Sequence, residues 1–205
     1  STIIDLHLSC RPSEPLIYQG LRRTLGKRLT IIVCGAGPAD RVGNLVHLAQ
    51  ADGWTVQLVA TAAAVPMLDL SQLETMTGAP IRTDYGQPRH GSRRSSAVDG
   101  LIIAPATYNT INKLASGIND TYPLNIAAEA IGRQIPVIIA PFVNTALAAR
   151  RPFIDAVEQL RSEKVRVLLG AGEWVPHPPG TGAEPSARFP WHRAVKALQA
   201  AVPDV

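Results

Sequence analysis

The sequence predicts a doubly wound α/β domain, a parallel sheet with helices on both faces. Three observations carry this expectation. Short β-branched runs alternate with stretches whose apolar residues recur at helical spacing, which is the pattern of right-handed crossovers. Several of those runs close on a glycine or a proline. Aromatic residues make up only 5% of the 205 residues, so the core must be built from Ala, Val, Ile and Leu, as in parallel sheets packed between helices.

The elements follow in order. Residues 1–28 contain Pro12, Pro15 and Gly20 and read as an extension before a domain spanning 29–205. Leu29 to Cys34 reads as a buried first strand that runs into Gly35-Ala36-Gly37. Val42, Leu45, Val46 and Ala49 then recur at helical spacing from Asp40 to Ala51, and Gly53 closes the helix. Thr55 to Ala60 is the second strand, and a helix from Ser71 to Met76 ends at Gly78. The stretch from Arg82 to Ser96 is polar and rich in Gly, Pro and Arg, so a loop is expected.

Gly100 to Ala104 is a third strand closed by Pro105. Asn109 to Ser116 and Leu124 to Ile131 are helical in pattern. Pro136 to Ala140 is a fourth strand closed by Pro141, and Phe153 to Leu160 a further helix. Val165 to Leu169 predicts a fifth strand ending at Gly170. Residues 170–190, dense in Gly and Pro, predict a long loop before a last helix from His192 to Ala201. The expected architecture is Rossmann-like, of the flavodoxin-like kind, with ligands bound in the crevice beyond the strand carboxyl ends.

Composition excludes several classes. The formal charge is +4, with basic residues gathered at Arg22, Arg23, Lys27 and Arg28 and again at Arg89, Arg93 and Arg94. No aromatic residues interleave with them and no binding motif accompanies them, so a solvated face is expected and no nucleic acid partner. The opening Ser1–Asp5 has no basic n-region, and no apolar stretch approaches a membrane span, so neither secretion nor a membrane partner is expected. Cys10 and Cys34 are far apart and in no ligand spacing. A disulfide framework and a metal site are not expected, and the cytoplasm is the default compartment.

Gly35-Ala36-Gly37 after a first strand invites a dinucleotide reading, which fails twice. The third glycine is replaced by Asp40, and the second strand ends in Val59-Ala60-Thr61-Ala62 without an acid for a ribose. What remains is a glycine turn feeding a helix start, which suits a phosphate monoester. Thr61 stands ready to add a hydroxyl. The same glycines also serve a plain tight turn, and the loop alone leaves both readings open.

Three further loops carry a resemblance. Pro105-Ala106-Thr107-Tyr108-Asn109-Thr110, followed by Gly117-Ile118-Asn119-Asp120, resembles the "PASANT…GIAD" signature of the homo-oligomeric flavin-containing cysteine decarboxylases. That family includes phosphopantothenoylcysteine decarboxylase and the peptidyl-cysteine decarboxylases. Ala140-Pro141-Phe142-Val143-Asn144-Thr145 is similar to its "APAMNxxMW" motif, and Gly180-Thr181-Gly182-Ala183-Glu184-Pro185 to its "GxGRMxEP" segment. Gly35 to Gly53 matches the family's first loop and helix in length, with Ala36 where a serine is usual.

The resemblance implies FMN as cofactor. Gly35, Ala36, Gly37 and Thr61 would hold its phosphate. Thr107, Tyr108, Asn109 and Thr110 would line the ribityl chain and isoalloxazine, and Phe142 would sit near the ring. Asn144 would bind a substrate carboxylate. The residues also allow plainer roles, since Thr107 and Asn144 each precede a helix and suit its N-cap. A homotrimer or a multiple of trimers is implied, with a small-molecule or peptide thiol as substrate.

The chain departs from the family pattern in three further places. The family histidine, eight residues before the aspartate matched by Asp99, would fall at Gly91. His90 is then the candidate acid/base, or an ordinary loop histidine. The family methionine is Val143, and the tryptophan is absent. No clamp cysteine lies between Leu169 and Pro185, while Cys34 reads as packing at a strand end. In the family, a cysteine-type substrate is oxidised to a thioaldehyde, CO2 leaves, and the clamp cysteine protonates the enethiol. Without that cysteine the resemblance implies an oxidative decarboxylase that releases the enethiol. The alternatives are an FMN-binding protein without this chemistry, for storage or relay, and a flavin prenyltransferase-like protein.

Overall fold

A computed structural model of the chain describes residues 26–83 and 98–202. Cys10, the paired arginines Arg22 and Arg23, most of the 82–96 loop, Arg89, His90, Gly91, Arg93 and Arg94 lie outside the described residues. Five strands form one all-parallel sheet in the order β2-β1-β3-β4-β5. They are β1 (Lys27–Val33), β2 (Trp54–Ala60), β3 (Gly100–Ala106), β4 (Val137–Pro141) and β5 (Arg166–Val167). The doubly wound, flavodoxin-like expectation is borne out.

Eight helices connect the strands among the described residues. They are α1 (Gly43–Ala51), α2 (Leu70–Thr77), α3 (Tyr108–Ala115), α4 (Tyr122–Gly132), α5 (Thr145–Ala148), α6 (Arg151–Ser162), α7 (Ala183–Ala187) and α8 (Trp191–Ala201). The sheet separates two cores. On one face Val33, Val42, Leu45, Leu58 and Ile138 pack with Val195 and Leu198 of α8. On the other, Ile32, Leu101, Ile103 and Ile139 pack with Ile111, Ala127, Phe153 and Leu160. β3 is buried at all seven positions, as a central strand covered on both faces must be. Helix α8 presses so close to β3 that a Cβ at Gly100 would stand 2.8 Å from Leu198 Cδ1.

Several elements differ from the sequence expectation. The helix expected from Asp40 begins only at Gly43, because Pro38 opens a separate 3-10 turn over Gly37–Arg41. β3 continues past Pro105 to Ala106, where its register with β4 shifts. Proline has no N–H to give, but the Pro105 carbonyl still accepts from Cys34 N at 3.1 Å. Only Arg166 and Val167 of the fifth run pair with β4. The long loop after it contains α7, held by an i,i+4 pair between Glu184 and Arg188.

Candidate functional site

β1 and β3 are neighbours, yet the chain leaves them in opposite directions, towards β2 and towards β4. A crevice opens at such a switch point. Gly35-Ala36-Gly37 forms its floor on one side. A Cβ at Gly35 would lie 2.6 Å from the Ala63 carbonyl oxygen, so the turns after β1 and β2 touch backbone to backbone. Ala36 is extended, its N–H donates to Cys34 O at 2.8 Å, and Ala39 N donates to Ala36 O at 2.9 Å.

Thr61 belongs to this same corner. Its N–H donates to Val33 O at 2.9 Å, which fixes it beside the end of β1. Its hydroxyl is buried and has no hydrogen-bond partner. A buried hydroxyl without a partner is uncommon in a folded protein and marks a place for a ligand or water. The glycine turn and this hydroxyl together fit an oxygen-rich anionic group such as a phosphate.

Across the crevice, Thr107 caps α3. Its Oγ1 accepts from Thr110 N at 3.3 Å and lies 3.0 Å from Thr110 Oγ1. Cys34 Sγ donates to Thr110 Oγ1 at 3.4 Å. Burial pushes the Cys34 thiol up, and the hydrogen bonds with Thr110 and Thr107 act in the opposite direction. The thiol therefore packs rather than offering a thiolate, as its place at a strand end implies. Asn109 is exposed. The Tyr108 ring turns away to stack on Phe153 of α6 at 5.5 Å, with the Arg150 guanidinium 5.9 Å from its centre.

β4 delivers Phe142 and Asn144. The edge of the Phe142 ring closes on the glycine turn, with Cε1 3.0 Å from where a Cβ of Gly37 would be. Asn144 caps α5, its Oδ1 accepting from Leu147 N at 2.9 Å. The structure thus brings Gly35, Ala36, Gly37, Thr61 and Phe142 to one corner and Thr107 and Thr110 to the other side of β1. His90 lies outside the described residues.

Two residues of the site escaped the sequence reading. His177 bridges Asn144 in parallel register, its carbonyl accepting from Thr145 N at 2.8 Å, and its ring lies on Phe142 at 4.7 Å. Trp174 stacks on the other side of the cluster, 6.2 Å from Phe142 and 5.5 Å from Phe189. Both stand in the Gly/Pro-rich stretch, where no periodicity reveals which way a side chain points. The only hint was the glycine-rich segment from Gly180 that follows them. An open groove of about 800 Å³ between β5 and α8, lined by Lys164, Arg166, His192 and Lys196, includes none of these residues. Among the described residues, no helix is long and apolar enough to cross a membrane.

Comparison with known proteins finds several similar chains. Over 151 residues the chain is 26% identical to the coenzyme A biosynthesis bifunctional protein CoaBC of Thermococcus kodakarensis, which covers 72% of this chain. The match spans only 37% of that longer protein. A phosphopantothenoylcysteine decarboxylase of Malus domestica is 29% identical over 157 residues, covering 72% of this chain and 71% of its own. Among solved structures, the FMN-dependent cysteine decarboxylase SpaF superposes with a TM-score of 0.66 at 26% identity, over 85% of this chain and 97% of that one. The family model described as Flavoprotein matches residues 18–189, which takes in the glycine turn, all five strands and the strap of Trp174 and His177. By that match the chain belongs to the Flavoprotein family.

Proposed function

We propose that this chain binds FMN at the β1/β3 switch point and catalyses the oxidative decarboxylation of a cysteine-type substrate, a peptide ending in cysteine or a related thiol. The observation that carries the reading is the buried Thr61 hydroxyl, unpartnered beside a glycine turn in which Gly35 admits no side chain. Likeness to cysteine decarboxylases supports the chemistry. When bound, the flavin supplies a two-electron acceptor, and oxidation of the thiol-bearing carbon creates the C=S bond that lets CO2 depart.

The protein's own groups bind, orient and exclude water. Gly35, Ala36 and Gly37 allow the close backbone approach a phosphate needs, and Thr61 donates its free hydroxyl. Thr107 and Thr110 present oxygens already fixed by each other, which orients a ribityl chain at no further ordering cost. Phe142 seals the turn against water. Asn144 spends its Oδ1 on the α5 cap, and this bond aims its amide Nδ2 as a donor for the substrate carboxylate. With no cysteine in the strap, the enethiol leaves as product. A homotrimer or a multiple of trimers is the assembly this family membership suggests, and light scattering that finds a monomer at micromolar concentration would contradict it.

Gly91 at the position of the family histidine favours a second reading, a protein that binds FMN without turning over a thiol. One experiment separates the two. The absorbance spectrum of purified protein is recorded before and after cysteine-ending peptides are added. A yellow protein whose flavin bleaches with release of CO2 is the decarboxylase, and one that stays yellow is the binding protein. A colourless protein that takes up no FMN removes both readings.

A further inference from the structure

The glycine turn is poor in donors for a dianionic group. Pro38 has no N–H, and the N–H groups of Ala36 and Ala39 are already spent on Cys34 O and Ala36 O, which leaves those of Gly35 and Gly37 as the turn's backbone donors. Ala36 has no hydroxyl, and Arg41, the one basic side chain of the segment, is exposed. Thr61 brings these donors to three, whereas each of the three oxygens of a phosphate can accept more than one hydrogen bond.

Among the described residues, three have a buried side-chain polar atom without a partner: Thr61 Oγ1, Trp174 Nε1 and His177 Nδ1. All three belong to this site. A buried nitrogen with nothing to donate to is better left as a bare lone pair, which places the ring proton of His177 on Nε2. That nitrogen borders Gly182 of the strap, which meets the glycine turn across the edge of the Phe142 ring. Phe142 Cε1 lies 3.0 Å from the Cβ position of Gly37 and 3.8 Å from that of Gly182, and His177 Nε2 lies 3.3 Å from the latter. Helix α7 closes the same corner, with Ser186 Cβ 3.4 Å from the Gly37 position. The bridge to Asn144 and the stack on Phe142 hold the imidazole there.

We propose that His177, from the strap over the crevice, donates its Nε2–H to the phosphate of the bound flavin nucleotide and replaces the donor that Ala36 cannot supply. The inference deepens the FMN reading and rests on it. Glycine at 182 then has a reason, since a side chain there would press on the donating nitrogen.

The test compares FMN with riboflavin, which lacks the phosphate, by flavin-fluorescence titration of the apo-protein. His177→Phe keeps the ring stack and removes the donor. It should weaken FMN binding about tenfold to a hundredfold, as for a hydrogen bond to a charged group, and leave riboflavin within about twofold. His177→Gln keeps an N–H donor and should fall between, which keeps the test decisive if the Phe variant does not fold. Adding Ala36→Ser to either variant should restore much of the FMN affinity. FMN and riboflavin weakening in parallel would make His177 a strap residue only and overturn the proposal, as would FMN binding that the variants leave unchanged. Wild-type protein that binds riboflavin as tightly as FMN also overturns it while leaving flavin binding intact. Wild-type protein that binds neither removes the FMN reading itself.

Discussion

Thr61 and Thr107 end the two strands that flank β1, and their hydroxyls meet opposite circumstances. Thr107 Oγ1 is closed within the protein, bonded to Thr110 N and paired with its hydroxyl. Thr61 Oγ1 is buried and bonded to nothing. The β3 side of the crevice thus completes itself on folding, and an ordinary helix cap accounts for its threonine. The β2 side folds with an unmet donor, at a cost of about 1–3 kcal/mol that a ligand can repay. Asn144 commits its Oδ1 to a cap, and its Nδ2 stays available to a ligand. Self-satisfied polar groups explain themselves by stability, and unsatisfied ones point to what binds.

The largest effect should come from Gly35→Ala. The new Cβ would meet the Ala63 backbone carbonyl at 2.6 Å, and backbone cannot swing aside. A loss of about 3 kcal/mol is expected, together with loss of FMN. Gly37→Ala meets a ring edge at 3.0 Å, which can pivot, and Ser186 Cβ at an ordinary 3.4 Å, so it should keep its fold and lose affinity alone. Melting temperature and flavin content of the two variants check this. Gly35→Ala holding FMN like wild type would break the β2-side account.

Asn144→Asp comes next. Asp caps a helix as well as Asn does, so melting temperature and flavin content should stay near wild type. Thiol-dependent flavin reduction should fall at least tenfold. The hydrogen bond to a carboxylate lost here is of the order of 1.5–3 kcal/mol, and like-charge repulsion adds to it. Unchanged reduction would leave Asn144 as a helix cap and nothing more.

The two threonines can be set against each other directly in urea unfolding of the apo-protein. Thr107→Ala should lose about 1 kcal/mol with its cap. Thr61→Ala deletes an unpartnered hydroxyl and should be neutral or slightly stabilising, yet it should weaken FMN. Equal losses from both would erase the distinction between the two sides.

The smallest effect is a pH dependence at Cys34. Burial raises its thiol pKa in the folded state, so the folded protein holds that proton more tightly than the unfolded chain does. The stability linked to it is fully present below the ordinary thiol pKa and is lost as pH rises through the raised one. The melting temperature of wild type should therefore fall more steeply in that alkaline window than that of Cys34→Ser. Parallel curves would show that the thiol is not held protonated by the fold.

Most of the sheet was legible in the chain. The runs 29–34, 55–60, 100–104 and 136–140 all became strands, because β-branched residues bounded by glycine or proline suit a doubly covered sheet. The run 165–169 looked equally good, yet only two of its residues pair. Leu168 N still donates to Ile139 O at 2.8 Å, but the chain then leaves β4, and the burial of Leu168 gives the same apolar signature whether or not a ladder continues. Helix α7 was invisible because Gly182 and Pro185 read as loop. The caps at Thr107 and Asn144 were legible, since a cap concerns residues three apart.

By itself, then, the sequence determined most of the strand and helix segments, where the glycine turn lies and which residues cap, all matters settled within a few residues of chain. Tertiary structure alone decided the strand order that opens the crevice between β1 and β3. It also set Cys34 against Thr110, 76 residues away, and laid His177 on Phe142. Whether a buried polar atom finds a partner depends on what the rest of the chain brings to it through space. Thr61, at the end of one strand, and His177, in a distant strap, therefore reveal themselves only when the sheet has closed around them.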